Sequence, residues 1–466
     1  MKLAMANLSF PPNSYTSLAE AALLEKQSLP PALGPQTIGP SYDGLGLANV
    51  PALAMHWLNP DKQSLSTLPP FNPALLCIPA VTEAWNTWQQ QAEINHVVFL
   101  IVDGFGYDQL QTVMADGDAP ELAIACSSPQ AFFIPATSVF PSTTATALTS
   151  AATAHAPAQH GIVGTRAYVR EVGGIVDFGR WKPGVSPSST PYSDSQLNPE
   201  TFVPVPNLYL TLEAAGVDVG IVNWHHFRDT SVSRMTTGGS QAGKKGYIGY
   251  LTPIDGFVNL RDRLLNLPEQ TKSFTHLYVP NLDSAAHRYG PLSPGYRAEV
   301  AGLDFVMKRE LFDPLRGRSD IVLLLVADHG QRTIEPDKVL WLNYHPDLTK
   351  LLRSPIAGES QARFLYVRPG QEEAVIAYVQ THLADRFLAL SKNNAIQLGL
   401  FGLPEQKPTE TIGDRIGDLI LIPQNGWSCF QHVGETKPED CKTTIVGTHG
   451  GVTRAEMLIP FLAYRF

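Results

Sequence analysis

The chain has 466 residues, of which 34 are basic and 43 are acidic, so its formal net charge is −9 at pH 7. This length exceeds what one hydrophobic core usually supports, and we expect a large domain with a smaller insertion, or two domains. The acidic balance, without a stripe of Lys and Arg interleaved with aromatic residues, argues against a nucleic-acid partner.

The sequence gives no indication of a targeting segment or a membrane span. The N-terminal stretch MKLAMANLSFPPNS is interrupted by Asn7 and a proline pair, so it lacks the apolar core of a signal peptide. The longest apolar runs, at 97–102 and 321–327, are far shorter than a bilayer requires. Four cysteines without a CxxC pair suit free thiols in a reducing compartment. We therefore expect a cytoplasmic protein with no membrane partner.

The predicted elements change character at residue 96. Residues 1–95 are rich in Pro, Ser and Ala, and we expect them to form an N-terminal extension packed on the core. After that point, short apolar runs typical of strands buried on both faces recur: HVVFLIVDG (96–104), VGIVNW (219–224), HLYV (276–279), IVLLLVADHG (321–330), RFLYV (363–367) and DLILIP (418–423). Helical periodicity lies at Leu208 to Ala215, Gly295 to Leu315 and Gln371 to Phe387. This alternation predicts an α/β fold with a central, mostly parallel sheet flanked by helices.

Two segments interrupt the alternation of strands and helices. Residues 181–200 have the composition of a loop, and residues 355–445 combine a helix, a strand and turns before the final GTHGG. We expect both segments to lie over the edge of the sheet, with 355–445 forming an inserted cap subdomain. The α/β core then comprises 96–354 and 446–466.

Acidic residues and histidines stand where several predicted strands end, which is where open α/β sheets bind their ligands. They are Asp103, Asp283, His287, Asp328, His329 and His449. An Asp-Gly pair after a strand is often only a turn, and a single histidine is more often structural than a ligand. Six such residues together match two metal sites that have three protein ligands each.

One weakly charged segment, FPSTTATALTSAATAHAPAQHGIVG (140–164), carries seven hydroxyl side chains in its first fourteen residues. We expect an Ala-rich helix to follow its opening turn. Either Thr143 or Thr144 could stand at the N-terminus of this helix and face an anion. Local chemistry leaves the choice between them open.

Four ordered motifs resemble those of the alkaline phosphatase superfamily, and within it those of the type I phosphodiesterase/nucleotide pyrophosphatase group. They are VDGFG (102–106), the segment 140–164, DSAAHRYGP (283–291) with ADHG (327–330), and THGG (448–451). The resemblance implies an alkaline-phosphatase-like fold with a smaller inserted cap. It also implies a hydrolase of phosphodiester or nucleotide pyrophosphate bonds whose partner is a small phosphate ester or nucleotide.

The same resemblance implies a role for each candidate residue. The family spacing from Phe140-Pro141 and from His160 selects Thr144 as the nucleophile, and a phospho-threonine intermediate is expected. It assigns one divalent metal ion to Asp103, Thr144, Asp328 and His329, and a second to Asp283, His287 and His449. A mixed set of aspartates and histidines suits Zn²⁺, and Mn²⁺ is the alternative.

The chain departs from the group at Thr165, where the group usually has an asparagine whose amide donates to a phosphoryl oxygen. The hydroxyl of Thr165, or the guanidinium of Arg166 or Arg170, would supply this donor instead. A phosphomonoesterase or phosphonate hydrolase of the same superfamily is therefore an alternative function. A binding protein that kept the fold without activity is a further one.

Overall fold

The computed structural model describes residues 14–59, 67–186, 189–268, 270–433 and 441–466. The prediction about a signal peptide concerns residues 1–14, nearly all of which lie outside this part of the chain. Among the described residues, no helix is both long enough and apolar enough to cross a lipid bilayer.

The described residues form strands of two to eight residues. These strands are β1 (His96–Val102), β2 (Ala131–Thr137), β3 (Arg166–Val169), β4 (Gly174–Asp177), β5 (Lys182–Pro183), β6 (Asp218–Trp224), β7 (Tyr247–Tyr250), β8 (Ser273–Val279), β9 (Ile321–Val326), β10 (Arg332–Thr333), β11 (Val339–Trp341), β12 (Ala357–Glu359), β13 (Ala362–Leu365), β14 (Phe387–Ser391), β15 (Leu419–Pro423), β16 (Ser428–Phe430), β17 (Gly447–Thr448) and β18 (Leu458–Arg465).

The helices surround and connect these strands. They are α1 (Ser14–Lys26), α2 (Asn49–Leu58), α3 (Pro79–Gln89), α4 (Tyr107–Asp116), α5 (Pro120–Ser127), α6 (Thr144–Thr153), α7 (Pro157–His160), α8 (Leu208–Ala214), α9 (Ser231–Thr237), α10 (Pro253–Leu265), α11 (Asn281–Tyr289), α12 (Pro294–Met307), α13 (Pro346–Thr349), α14 (Glu372–His382), α15 (Lys392–Gln397), α16 (Ile412–Arg415) and α17 (Arg454–Met457).

The main sheet has seven strands in the order β2-β18-β9-β1-β8-β6-β7. Strands β9, β1, β8, β6 and β7 are parallel to one another, whereas β18 runs antiparallel to both β9 and β2. Every residue of β1 and β9 is buried, which explains why both read as unbroken apolar runs. The predicted α/β fold with a mostly parallel central sheet is confirmed.

Three differences from the predicted elements have local causes. The sequence pattern for buried strands missed β2 and β18 because each of these strands contains a proline. The two residues, Pro135 in β2 and Pro460 in β18, are paired in the register of the sheet. The helix predicted at 371–387 ends at His382, since Phe387 already begins β14. The helix predicted at 295–315 is α-helical only as far as Met307 and continues as a π-helical turn.

The N-terminal region and the predicted cap pack differently. Helices α1 to α3 contribute Leu23, Leu53 and Trp85 to the apolar core around the main sheet. The cap contains a separate four-stranded sheet in the order β12-β13-β15-β14. Strand β11, which precedes residue 355, pairs with β16 of the cap, and Leu340 packs in the cap's own apolar cluster. The domain boundaries stay a prediction, and this packing favours a start of the cap near residue 339.

Candidate active site

The three candidate aspartates gather at one edge of the main sheet because they follow neighbouring strands. Asp103 follows β1, Asp328 follows β9, and Asp283 stands in the first turn of α11 just after β8. Gly104 makes the closeness of two strand exits possible. Its φ is +70°, and a Cβ atom there would lie 2.9 Å from the Cα of Asp283.

A first cluster forms around the imidazole of His329. Its Nε2 lies 3.5 Å from Oδ1 of Asp103, 3.4 Å from Oδ2 of Asp328 and 3.3 Å from the hydroxyl oxygen of Thr144. Those two carboxylate oxygens are buried and have no hydrogen-bond partner among the described residues. A buried carboxylate oxygen without a partner is costly, and a cation would satisfy it.

A second cluster adjoins the first. Oδ1 of Asp283 lies 3.4 Å from Nε2 of His287 and 3.7 Å from Nε2 of His449. Possible ligand atoms of Asp283 also lie within 4.8 Å of those of Asp103 and His329. The carboxylate shared between the two clusters is thus that of Asp283.

The hydrogen bonds of the three histidines fix which ring nitrogen is free. Nδ1 of His287 lies 2.8 Å from the carbonyl oxygen of Gly447, Nδ1 of His329 lies 3.1 Å from that of Gly330, and Nδ1 of His449 lies 3.0 Å from that of Ser142. A carbonyl only accepts, so each Nδ1 donates its hydrogen and each Nε2 presents a lone pair.

Two of these lone pairs face each other, because Nε2 of His287 and Nε2 of His449 are 3.2 Å apart. Such a pair repels unless a cation lies between the nitrogens, and histidine ligands held by Nδ1–H···O=C bonds are typical of metal sites. The donor set therefore fits divalent metal ions.

Burial shifts the pKa of the ionisable groups away from their charged forms. It raises the pKa of Asp103 well above its usual value, helped by the nearby charges of Asp328 and Asp283, and it raises the pKa of Asp328 to about 6. It lowers the pKa of His329 to about 3 and that of His449 well below its usual value. Three charged carboxylates are thus unfavourable here by themselves, and cations would offset that cost.

Of the seven hydroxyls in the segment 140–164, all of them described, only that of Thr144 contacts a candidate ligand. Ser142 donates to the carbonyl of Gly451, and Thr146 accepts from the amide of Gly164. Thr143 is the N-cap residue of α6 and is 1% exposed. Thr144 is the first residue of α6, and its side chain opens onto a cavity.

His160, whose spacing from Thr144 helped to select the nucleophile, has a structural role. Its Nδ1 accepts from the amide of Ile162, and its Nε2 therefore donates to the hydroxyl of Ser150 at 2.8 Å. These bonds tie the turn that follows α7 to helix α6. The spacing between His160 and Thr144 thus reflects a turn packed on the helix that carries the threonine.

Thr165 and Arg166 lie beside the second cluster. Both line a cavity of about 340 Å³ whose wall also contains His287 and His449. The amide of Thr165 donates to Oε1 of Glu359 at 2.5 Å. Arg166 pairs with Asp177 at 3.4 Å within the β3–β4 hairpin.

Two residues that support the clusters were missed from the sequence. The side-chain amide of Gln331 donates to the carboxylate of Asp283, and the hydroxyl of Tyr278 donates to that of Asp103. Gln331 directly follows the ADHG motif and could have been suspected from that position. Tyr278 lies in the buried strand β8 and gave no local signal.

A central parallel sheet with carboxylates and imidazoles at its strand ends, beside a threonine at a helix N-terminus, is an arrangement that can hold divalent metal ions next to a hydroxyl group, as in metal-dependent phosphatases. The comparison with protein families makes this specific. The family model of type I phosphodiesterase / nucleotide pyrophosphatase matches residues 97–451, and the chain belongs to that family. The resemblance found in the four motifs is confirmed.

Individual proteins similar to this chain agree with the family. An uncharacterized pyrophosphatase/phosphodiesterase of Schizosaccharomyces pombe is 23% identical over 205 residues, which cover 41% of this chain and 39% of that protein. The aligned region thus spans about two fifths of the length of that relative.

Solved structures of ectonucleotide pyrophosphatase / phosphodiesterase 5 share the fold. The murine protein matches with a TM-score of 0.57 at 16% identity, covering 79% of this chain and 87% of that one. The same values hold for its inactive threonine-to-alanine variant in complex with AMP. The human protein matches over the same shares at 16% identity with a TM-score of 0.54.

Proposed function

We propose that the protein hydrolyses phosphodiester or nucleotide pyrophosphate bonds with two divalent metal ions and a phospho-threonine intermediate. The observation that carries this proposal is the place of Thr144. Its hydroxyl lies 3.3 Å from Nε2 of His329, at the junction of six candidate ligand side chains and the N-terminus of α6.

The residues of the first cluster with Thr144 would hold one metal ion, and those of the second cluster the other. The assigned ligands are Asp103, Thr144, Asp328 and His329 for the first ion, and Asp283, His287 and His449 for the second. Zn²⁺ is the proposed ion, with Mn²⁺ as the alternative. When bound, the ions would favour the deprotonated threonine and offset the negative charge of the transferred phosphoryl group.

The chain's own residues then supply position and charge. The amide groups in the first turn of α6 have no acceptor within the helix and would face an anion bound beside Thr144. The Oγ–P bond to Thr144 forms while the bond from phosphorus to the leaving oxygen breaks, and that oxygen keeps the electron pair. Water then attacks phosphorus and releases Thr144. Thr165 and Arg166 are proposed donors to the non-reacting oxygens.

The space beside Thr144 supports a diester over a monoester. Thr144 lines a second cavity of about 200 Å³ whose other walls include Leu148, Tyr209, Phe227 and Tyr247. A diester carries a group that stays on phosphorus after the first step, and this largely apolar cavity provides room for it. AMP bound to the inactive variant of the murine neighbour is consistent with a nucleoside as that group.

The test compares two adjacent threonines. Thr144→Ala should lower hydrolysis of a diester such as the p-nitrophenyl ester of thymidine 5′-monophosphate by ~10³-fold or more, because the nucleophile is gone. Thr143→Ala, at the buried neighbour, should keep most of the activity.

Metal content of both variants, measured by elemental analysis, serves as the control and should stay near that of the wild type. Full activity of Thr144→Ala would exclude this residue as the nucleophile. Wild-type protein that binds no Zn²⁺ or Mn²⁺ would exclude the two-metal mechanism.

We also propose a cytoplasmic location and a small-molecule substrate. All four cysteines lie in the described residues and none of them forms a disulfide, which suits a reducing compartment. The two cavities beside the clusters have the size of small-molecule sites rather than of macromolecular interfaces.

A further inference from the structure

The hairpin that joins β12 to β13 is the part of the cap that reaches the candidate site. Glu359 ends β12, and Ser360 and Gln361 form the turn before β13. The hydroxyl oxygens of Ser360 and Thr448 are 2.6 Å apart, and Thr448 belongs to the THGG motif. Gln361 accepts from the guanidinium of Arg332 at 3.0 Å, just beyond the ADHG motif. The tip of this hairpin is therefore fixed to the segments that carry candidate ligands.

Glu359 makes a third contact with the core, and this one holds Thr165. Oε1 of Glu359 accepts from the backbone amide of Thr165 at 2.5 Å. The backbone carbonyl of Thr165 accepts from the amide of Phe178 at 2.9 Å. Both backbone groups of Thr165 are thus held. In the described part of the chain its hydroxyl makes no hydrogen bond, so the hydroxyl stays available as a donor.

Two glycines allow Glu359 to approach the core this closely. The φ of Gly164 is +106° and that of Gly450 is +113°, a region that favours glycine. A Cβ atom at Gly450 would clash with the Cβ of Glu359, and one at Gly164 would lie 3.3 Å from its Oε1. Gly164 precedes Thr165, and Gly450 follows His449. Glu359 therefore packs between the turn that carries Thr165 and the loop that carries a candidate ligand.

A negative charge on Glu359 has a fixed cation nearby. Arg363 is paired with Gly358 in the register of β12 and β13, and its guanidinium donates to the carbonyls of Cys429 and Gly358 at 2.7 and 2.8 Å. Burial lowers the pKa of Arg363, and the negative charge of Glu359 acts against this shift. The same attraction stabilises the ionised Glu359. A carboxylate accepts a hydrogen bond from an amide more strongly than a neutral group does.

We propose that Glu359 is a positioning residue, which holds Thr165 so that its hydroxyl donates to a non-reacting phosphoryl oxygen beside the second cluster. Thr165 lines the same cavity as His287 and His449, which supports this role. This inference rests on the proposed function and gives the inserted cap a part in it. Because the hydroxyl would act on charge that develops in the transition state, loss of the contact should lower kcat more than it raises KM.

The test removes the acceptor in the presence and in the absence of the hydroxyl that it is proposed to hold. Glu359→Met should lower kcat for the p-nitrophenyl ester of thymidine 5′-monophosphate about tenfold, as should Thr165→Val. In the Thr165→Val background, Glu359→Met should cause no further loss, because the hydroxyl is already gone. Glu359→Gln keeps an acceptor oxygen and should be faster than Glu359→Met. A cap that is merely damaged would lower kcat by the same factor in both backgrounds.

Glu359→Asp covers the case in which Glu359→Met does not fold. It keeps the charge near Arg363 but withdraws the oxygen from the amide of Thr165 by the length of a methylene group, and its effect should depend on the background in the same way. Glu373→Met, on the exposed side of α14 in the same cap, is the control and should leave kcat unchanged.

Equal losses in both backgrounds, no loss in either, or a loss of bound Zn²⁺ in the Glu359 variants would overturn the inference and leave the proposed function in place. Elemental analysis gives the metal content. Wild-type, Zn²⁺-loaded protein that does not hydrolyse the ester would instead overturn the proposed function.

Discussion

The candidate ligands are held in place by hydrogen bonds to backbone and side-chain groups, most of which belong to residues far away in the sequence. Each of the three histidines donates Nδ1–H to a backbone carbonyl, and Asp283 accepts from the side chain of Gln331. These bonds leave the three Nε2 atoms pointing into the clusters. Because such supporting bonds fix the orientation of ligands, they should control metal affinity as well as activity.

Gln331 offers a direct test of this idea. Gln331→Met removes the donor to Asp283 but keeps a similar volume, and we expect Zn²⁺ affinity at the second cluster to fall by about 10- to 100-fold. The measurement is calorimetric titration of Zn²⁺ into metal-free protein. Gln111→Met is the control, since Gln111 donates to the hydroxyl of Tyr107 and not to a candidate ligand. Equal affinities of both variants would contradict the role of Gln331.

At the scale of secondary-structure elements, the site depends on how closely strand exits can approach. The residues that follow β1 lie against the first turn of α11 at Gly104. A Cβ atom at Gly104 would lie 2.9 Å from the Cα atom of Asp283. Gly117, at the end of α4, also has a positive φ, of +84°, but a Cβ atom there would meet nothing within 4 Å. Replacing Gly117 by alanine therefore tests only the cost of a left-handed backbone conformation, whereas replacing Gly104 adds the cost of a steric clash.

We predict different outcomes for the two alanine variants. Gly117→Ala should lower the free energy of unfolding by about 1 kcal/mol, the cost of a left-handed alanine, and leave the activity intact. Gly104→Ala should cost more than this and also impair activity, because it pushes Asp283 away from Asp103. Urea denaturation and diester hydrolysis check the two parts. Similar losses in both variants would show that the close approach does not matter.

Sequence patterns predicted the elements unevenly, for physical reasons. The buried parallel strands around the site, such as β1 and β9, stand out because every residue in them except His96 is apolar. Strands β2 and β18 contain prolines and lie outside the parallel series, so the same rule missed them. Sequence reasoning also could not find that β11 pairs with β16, since that contact joins segments almost ninety residues apart.

The whole molecule keeps several histidines other than the candidate metal ligands buried and uncharged. Burial lowers the pKa of His276 to about 4, and it lowers the pKa of His160 well below the usual value. A histidine of this kind binds protons in the unfolded state below about pH 6.5 but not in the folded state. Its contribution to stability is therefore complete above pH 6.5 and is lost as the pH falls toward the pKa of the folded state.

His276, whose Nδ1 lies 2.8 Å from the hydroxyl of Tyr209, allows this to be measured. We expect the stability advantage of the wild type over His276→Gln to shrink by up to about 3 kcal/mol between pH 7 and pH 4. The comparison of variants is needed because buried aspartates with a raised pKa act in the opposite sense. Urea denaturation at a series of pH values gives the difference, and a constant difference would contradict the prediction.

The sequence by itself determined the family, the parallel core and the residues that could act, because buried strands and motif spacing are local features of the chain. The tertiary structure decided what those residues do to one another. It distinguished Thr144 from Thr143 by its contact with His329, placed Asp283 between the two clusters, and brought Arg363 of the cap beside the second cluster. These relations join residues as far apart as 103 and 449, and only the packing of strands, helices and cap fixes such distances.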